Sequence, residues 1–337
     1  MKRRFALAAA AALGLAACGG PQDFMSGGGP AARGIAHLGW FALIVFIAVT
    51  VVVWLLMAAI VLRRRGGSFA THAPVAPSPV GMNWLLIGGF AIPAAILALL
   101  FTLSVSSMER FPMQHSGTPT PLIRVTGRQW WFDAQYLFAR EDQGVHVPGE
   151  IHIPTGCAVD LELVSKDVIH SFWVPKLHGK VDLVPGQVNH IRIQADEPGI
   201  YEGECGEFCG VQHAHMRLRV VAEDGKDFMQ WLDRQRADAA APSSGDALAG
   251  RRVFEGGACA LCHSVRGTQA RADVGPDLTH VASRRRIAGY SIDNTTANLA
   301  AWIVHAQSLK PGAQMPDLDQ LNGTQLRQLT AYLQSLK

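Results

Sequence analysis

The chain has 337 residues, of which 49% are hydrophobic and only 17% charged, whereas soluble domains usually carry about 25% charged residues. This composition excludes a disordered chain and argues against a purely soluble enzyme, and the length suggests about two domains. The formal charge of +3 includes basic residues at the extreme N-terminus, so the charge balance gives no indication of a nucleic-acid partner.

The first residues have the order of a secretory leader, with a basic start, an apolar run and small residues before Cys18. The run Leu15-Ala16-Ala17-Cys18 resembles a bacterial lipoprotein box, in which the cysteine is lipidated and becomes the mature N-terminus. We therefore expect residues 1–17 to be a lipoprotein-type signal peptide and Cys18 to be lipidated. The alternative is an ordinary signal peptide with an incidental cysteine.

Two uncharged apolar runs follow, at residues 35–62 and 82–105. Each is long enough as a helix to cross the roughly 30 Å hydrocarbon core of a bilayer. The arginines at 63–65 lie between the two runs and belong on the cytoplasmic side by the positive-inside rule. Residues 18–111 are thus predicted to form an N-terminal segment and a two-helix transmembrane hairpin in a bacterial inner membrane, with the rest of the chain outside the cytoplasm.

The character of the chain then changes, because residues 112–235 contain short β-branched and aromatic runs between Gly and Pro turns. Strand-like runs occur at 122–126, 159–164, 188–193 and 216–221, and a helical pattern comes only at 226–234. This spacing predicts an all-β sandwich or barrel.

Soft ligands are concentrated in one stretch of this module, at Cys205, Cys209, His213 and Met216. His170, in the upstream run V-I-H-S-F-W-V-P, is a candidate to complete the set. Thiolate, imidazole and thioether are ligands of copper or zinc. A disulfide would give the histidines no role and zinc would give the methionine none, so the residues favour two copper ions bridged by the two thiolates.

A stretch rich in Ala, Pro and Ser at 236–245 is predicted to be a linker, and C-A-L-C-H follows at 259–263. In this motif Cys259 and Cys262 would add to the two haem vinyl groups, and His263 would lie under the iron. A redox-active dithiol is the alternative, but it has no use for the histidine. Helical patterns at 247–255, 296–307 and 324–335 predict an all-α domain over residues 246–337.

The second axial ligand of the haem is predicted to be Met315, the only methionine after the haem motif. His280 and His305 are its rivals. The run Gly275-Pro276-Asp277-Leu278 resembles the loop of class I cytochromes c whose proline carbonyl holds the proximal histidine.

The run C-x-E-x-C-x3-H-x2-M, together with V-I-H-S-F-W-V-P, resembles subunit II of the haem–copper oxidases, and the fused haem motif resembles the caa type of cytochrome c oxidase. The resemblance implies a cupredoxin-like sandwich behind a two-helix hairpin and a class I cytochrome c domain. It implies that copper A, with two copper ions, is held by His170, Cys205, the backbone carbonyl of Glu207, Cys209, His213 and Met216.

Other residues also take roles from the resemblance. The Glu207 carboxylate is expected to help bind magnesium at the interface with subunit I. Trp130, in the aromatic run 127–132, corresponds to the point at which electrons enter. His215 lies off the pattern and is expected at the surface, and Cys157 is expected to be a small buried residue.

The function implied is that of the subunit at which electrons enter a proton-translocating cytochrome c oxidase. Electrons would pass from the c-type haem to copper A and on to subunit I, where oxygen is reduced to water, so this chain has no catalytic residue of its own. The implied partners are subunits I and III, the membrane, and soluble cytochrome c or a cytochrome bc complex as electron donor.

Two other functions stay open at this point: the corresponding subunit of a copper A nitric oxide reductase, and a copper-delivery module, against which the fused haem argues. One departure from the family pattern is that residues 66–108 contain no Asp or Glu, although the family often has a carboxylate near the second helix.

Overall fold

The computed structural model describes residues 20–64, 79–109, 120–137 and 144–337. The predicted signal peptide and Cys18 lie outside these residues. The chain divides into two compact units, residues 33–112 and a larger unit of residues 1–32 and 113–337.

The smaller unit contains the two predicted apolar helices. Helix α1 spans Pro30–Arg64; the second run is helix α2 (Pro79–Leu86), a π-helical turn (Ile87–Ala91) and helix α3 (Ile92–Glu109). Both runs are long and apolar enough to cross a membrane. The wider turn comes just before Pro93, whose ring would clash with the carbonyl four residues earlier in a regular α-helix.

The larger unit contains a sandwich of two five-stranded sheets. Their strand orders are β3-β2-β1-β5-β8 and β4-β10-β9-β6-β7. The strands are β1 (Leu122–Arg128), β2 (Trp131–Leu137), β3 (Val145–Pro148), β4 (Glu150–Pro154), β5 (Val159–Ser165), β6 (His170–Trp173), β7 (Val181–Leu183), β8 (Asn189–Ile193), β9 (Gly199–Cys205) and β10 (Arg217–Glu223). Alternate residues face inward, so that Ile123 and Val125 on β1 and Leu161 on β5 are fully buried between the sheets. The predicted cupredoxin-like sandwich is confirmed.

Helix α4 (Gly225–Arg236) packs against this sandwich with its apolar face. Phe228, Trp231 and Leu232 on that face are buried, and the Trp231 ring stacks on His152 at 3.9 Å between centroids.

The C-terminal part of the unit is helical, as the sequence predicts. It contains α5 (Gly245–Gly256), the hairpin strands β11 (Arg286–Ile287) and β12 (Ile292–Asp293), α6 (Thr296–Val304), α7 (Ala306–Leu309) and α8 (Gly323–Ser335). Helices α5 and α8 pack closely at Gly250, where a Cβ atom would lie 1.9 Å from the Gln328 carbonyl oxygen. The Ser244, Thr295 and Asn322 side chains cap the first turns of α5, α6 and α8.

The helix predicted over 296–307 is broken at His305. A continuous helix would need the Gln307 N–H to bond the Ile303 carbonyl. Instead the Asp317 carboxylate accepts from Gln307 at 2.8 Å, and the Leu318 N–H donates to Ile303 at 3.2 Å. Tertiary contacts therefore override the local helical pattern.

The stretch predicted to be a linker is hydrogen-bonded to the helical part of the chain. The Arg266 guanidinium donates to the carbonyls of Gln235 and Ala237, and the Ala239 N–H donates to the Arg266 carbonyl at 3.2 Å. Composition could not show this, because the acceptors are backbone carbonyls that every residue carries.

Candidate copper and haem sites

The sulfur cluster is assembled by neighbouring strands of one sheet. Strand β9 ends at Cys205, β6 begins at His170, and the two strands pair through Phe172 and Cys205. A loop with a single 3₁₀ turn over His213–His215 then leads into β10. The strand ends thus bring distant parts of the sequence to one place.

All six groups predicted for copper A meet there. The sulfur atoms of Cys205 and Cys209 lie 3.8 Å apart, at the centre of the cluster. The contacts around them are His170 Nδ1 to Cys205 at 3.9 Å, the Glu207 carbonyl to Cys205 at 3.2 Å, His213 Nδ1 to Cys209 at 3.6 Å and Met216 Sδ to Cys209 at 3.8 Å.

This donor set fits soft metal ions. The two thiols are not joined, since a disulfide would require about 2.05 Å between the sulfurs. Donor atoms of His170, Cys205 and Cys209 all lie within 4.8 Å of one another, whereas His213 contacts Cys209 from outside that group. Central thiols with an imidazole beside each favour two ions bridged by sulfur over one ion.

The hydrogen bond between the two sulfurs shifts the two thiols in opposite directions. It lowers the pKa of Cys205, and the same bond together with burial raises the pKa of Cys209. A soft cation would displace the thiol protons, since thiolate is the form that binds metal.

Asp167 orients His170 and was not identified from the sequence. The Asp167 carboxylate accepts from the His170 Nε2–H at 2.7 Å, which leaves Nδ1 free toward the sulfurs. Burial lowers the pKa of His170, but hydrogen bonds to Cys205 and Asp167 outweigh it and the pKa is raised. The available signal was a carboxylate three residues before the histidine.

The aromatic run 127–132 lies directly on the loop between β9 and β10, residues 206–216, which we name the copper loop after its predicted ligands. The Trp130 indole N–H donates to the Cys209 carbonyl at 3.0 Å, and the Gln129 amide donates to the same oxygen at 2.8 Å. Phe132 is a core residue, whereas Trp131 carries the Arg128 guanidinium over its ring at 5.6 Å.

The remaining predicted residues lie at the edge of the cluster. The Glu207 carboxylate is exposed and receives the Lys180 ammonium at 3.1 Å. His215 is exposed and turned away from the sulfurs, with Nδ1 on the Gln212 side chain at 2.7 Å. Cys157 is buried at a distance from the cluster, as expected.

The haem motif borders a separate cavity of about 410 Å³. Cys259, Cys262, His263 and Met315 all line it. The rest of its wall is largely apolar and includes Phe254, Leu278, Leu299, Trp302, Leu329 and Leu333. Two thiols, an imidazole and a thioether around an apolar cavity fit a covalently bound haem.

The His263 ring has the tautomer and the neutral form that an iron ligand needs. Its Nδ1–H donates to the Pro276 carbonyl at 2.8 Å, as the resemblance to class I cytochromes c implies, so Nε2 keeps its lone pair. Burial lowers the pKa of His263, which favours the neutral imidazole that ligates metals. Gly275 allows the close approach, because a Cβ there would lie 2.7 Å from the ring.

Met315 stands on a loop held by Gln307. The Gln307 amide donates to the Ala313 and Met315 carbonyls at 2.6 and 2.7 Å. The rival His280 does not line the cavity, and its nitrogens face the carbonyls of Ala237 and Lys337.

The haem cavity also extends to the sandwich, which sequence reasoning did not foresee. Trp130 and Trp131 form part of its wall, beside Arg284 and Lys310 of the helical part. The indole that bonds the Cys209 carbonyl therefore also borders the cavity of the haem motif.

Family profiles of known proteins match both the sandwich and the helical part of the chain. The family profile described as cytochrome c oxidase subunit II, periplasmic domain, matches residues 139–223, and that of cytochrome c matches residues 247–337.

Cytochrome c oxidase subunit 2 of Alkalihalophilus pseudofirmus is 36% identical over 92% of this chain and 89% of its own length. The protein of the same name from Bacillus subtilis is 28% identical over 76% of each chain. A crystal structure of the periplasmic domain of subunit II of the Bradyrhizobium japonicum oxidase superposes with a TM-score of 0.32 at 24% identity, over 35% of this chain and 96% of that one.

Proposed function

Since the chain belongs to the cytochrome c oxidase subunit 2 family, we propose that it passes electrons from a c-type haem in its helical module to a dinuclear copper A centre in its sandwich. It is a subunit of a haem–copper oxidase, the one at which electrons enter the complex. Its two apolar helices and its periplasmic-type domain fit a membrane-anchored subunit with its sandwich outside the cytoplasm.

The residues that would hold the two groups are those brought together above. Copper A would take the imidazoles, thiols, thioether and carbonyl around Cys205 and Cys209; the haem would take Cys259 and Cys262 covalently, with His263 and Met315 at the iron. When bound, both groups gain and lose single electrons. The chain's own residues fix the ligands: Asp167 holds His170, Pro276 holds His263, and Gln307 holds the loop of Met315.

The observation that carries the proposal is the position of Trp130. Its ring borders the haem cavity, and its indole N–H bonds the carbonyl of Cys209. One side chain thus adjoins both sites, and this supports a route from the helical module into the sandwich.

Beyond this chain, we propose delivery to subunit I, where oxygen is reduced to water with proton pumping, in an oxidase that includes subunit III. The donor would be soluble cytochrome c or a cytochrome bc complex. We also propose the bacterial inner membrane as location, a magnesium beside Glu207, and acylation of Cys18, which mass spectrometry of the mature N-terminus tests. A nitric oxide reductase is not favoured, because the relatives are named as oxidase subunits.

The test is stopped-flow reduction of the purified complex. Its copper content, haem content and partner subunits are determined, and turnover is measured with both oxygen and nitric oxide. We expect the c haem to be reduced before copper A, and Trp130→Phe, which loses the N–H on Cys209, to slow the second phase. Trp54→Phe, in helix α1, is the control. Equal rates of copper reduction in wild type and Trp130→Phe would contradict a role of Trp130 in electron transfer. Reduction of copper before haem would overturn the proposed order.

A further inference from the structure

Among the polar contacts between the helical module (residues 246–337) and the sandwich, three lie at the loop of the predicted copper ligands or at Trp130. The Gln212 amide donates to the Pro311 carbonyl at 2.9 Å, and the Ser291 hydroxyl donates to the His215 carbonyl at 2.9 Å. A third, from the Lys310 ammonium, reaches the Trp130 carbonyl at 2.8 Å. All three involve the copper loop or the residue that bonds it.

Lys310 is the most unusual of these groups, because its side chain is only 4% exposed. Its ammonium donates to the carbonyls of Trp130 at 2.8 Å, Ala288 at 2.9 Å and His215 at 3.3 Å. Among the described residues its hydrogen-bond partners are uncharged oxygens, so the cost of burying the charge is offset by hydrogen bonds rather than by an ion pair. Such a group is sensitive to the loss of any one partner.

Glycines let the backbones approach closely around this ammonium. A Cβ on Gly289 would lie 2.4 Å from the Trp130 carbonyl oxygen and 2.7 Å from Lys310 Nζ. Gly289 also has a φ of +69°, which favours glycine. A Cβ on Gly312 would lie 3.1 Å from Val211 of the copper loop. Both glycines belong to the helical module, so its backbone can lie directly against the sandwich.

Lys310 is joined to the predicted haem ligand through a rigid loop. The Gln307 side chain accepts from the Gly312 N–H at 3.1 Å and donates to the Met315 carbonyl at 2.7 Å, which ties the segment between Lys310 and Met315 together. A displacement of Lys310 would therefore also displace the loop that carries Met315.

We propose that Lys310 is a positioning residue for electron transfer within this chain. It latches the methionine loop of the helical module onto the backbone of Trp130, so the haem cavity and the copper loop keep one fixed separation. The inference rests on the proposed order of electron transfer from haem to copper. Electron transfer slows as the distance between the two centres grows, so loss of the latch should lower the haem-to-copper rate.

The experiment uses the complete oxidase with Lys310→Met, which keeps a flexible unbranched side chain, one atom shorter, and removes its three donors. We expect the haem-to-copper rate to fall at least tenfold, by more than the measured change in the reduction potentials of the two centres accounts for, while the spectra of both centres stay at wild-type values. Hydrogen exchange of the amides of residues 129–131 and 286–291 should become faster. Lys226→Met, an exposed lysine on helix α4, is the matched control and should change none of these.

A second variant guards against loss of assembly. Gly289→Ala pushes the Trp130 carbonyl and the ammonium apart without changing charge, and its effect on the rate should not add to that of Lys310→Met in a double-mutant cycle. Faster exchange with an unchanged rate would reduce Lys310 to a structural contact and overturn the proposal. An unchanged rate with unchanged exchange would overturn it as well.

The same traces separate failure of the latch from failure of the proposed function. If haem and then copper are reduced in sequence at the wild-type rate in Lys310→Met, only the latch fails. If copper accepts electrons from the natural donor while the c haem stays oxidised, the proposed order of transfer fails.

Discussion

Glu207 carries two groups that serve different ends. Its backbone carbonyl lies 3.2 Å from Cys205 Sγ, inside the copper cluster, whereas its carboxylate is outside and paired with Lys180. Glu207→Gln should therefore keep full copper content and the near-infrared absorption of copper A. It should weaken a magnesium site shared with subunit I, because the negative oxygen suited to magnesium is lost.

The measurements are the absorption spectrum of the copper centre, the metal content, and the electron paramagnetic resonance of manganese substituted for magnesium. Glu197→Gln, at an exposed position of the same module, is the control. Loss of copper in Glu207→Gln would show that the carboxylate, and not only the carbonyl, supports the copper cluster.

His146 gives the sandwich a pH dependence of defined sign. Burial lowers the pKa of His146, but the Asp133 carboxylate, 2.6 Å away, outweighs it and the pKa is raised. A raised pKa stabilises the fold fully below the ordinary value of about 6.5, and this stabilisation is lost as the pH rises through the folded value. Because 40% of the His146 side chain is exposed, the effect should be at most about 1 kcal/mol.

His146→Gln should accordingly flatten the fall in the free energy of unfolding between pH 6 and pH 8. Denaturant titrations across this range measure it, with His190→Gln at an exposed position as control. If the free energy of unfolding depends on pH in His146→Gln as it does in the wild type, the contact with Asp133 does not raise the pKa of His146 in the folded protein.

At the scale of elements, the sequence predicts what depends on local pattern. The strand runs and the helices α5 and α8 follow from periodicity and turn residues. Short spacings such as C-x-x-C-H predict most ligands of both sites, whereas the roles of His170 and of the Glu207 carbonyl come from the family resemblance. What it misses depends on distant partners: Asp167 accepts from the Gln129 N–H across 38 residues, and Lys310 meets Trp130 across 180. The break at His305 has the same origin, since Asp317 and Leu318 take the bonds that a helix needs.

Strand β1 also forms part of the copper site, through Gly127. A Cβ at this residue would lie 2.7 Å from His170 Cδ2, so the strand leaves room for the imidazole only because it carries glycine there. Gly127→Ala should displace the ring and lower copper affinity by roughly tenfold to a hundredfold, the usual cost of disturbing the support of a ligand.

Copper titration of the full chain measures this effect, and Gly256→Ala, where an added Cβ meets nothing within 4 Å, is the control. If Gly127→Ala binds copper as the wild type does, the His170 ring is free to shift, and the close contact with β1 does not determine affinity.

At the scale of the whole molecule, the helical module covers the face of the sandwich at which electrons are proposed to enter. Trp130 is only 8% exposed in the full chain, and the Lys310 ammonium and Gly289 lie against its carbonyl. A soluble donor therefore has little access to Trp130 while the module is in place. The two modules nevertheless have separate hydrophobic cores, so the sandwich does not depend on the helices for its own packing.

Ending the chain after Asp238 removes the cover from Trp130 while the hydrophobic core of the sandwich is kept. The truncated protein should keep copper A, because every predicted copper ligand precedes Arg217, and it should lose the c-type haem spectrum. Activity with the natural donor should fall more than tenfold, whereas artificial donors, now able to reach Trp130, should reduce copper A directly. Met315→Leu should act differently, keeping the covalent haem and lowering its potential because the thioether is lost.

Stopped-flow reduction of both variants measures these outcomes. Full-length rates of copper reduction by the natural donor in the truncated protein would place the haem off the main path. The truncation also cuts the contacts of Arg266 with Gln235 and Ala237, so its thermal unfolding must be compared with that of the full chain. A lower unfolding temperature of the truncated protein would show that the helical module stabilises the sandwich.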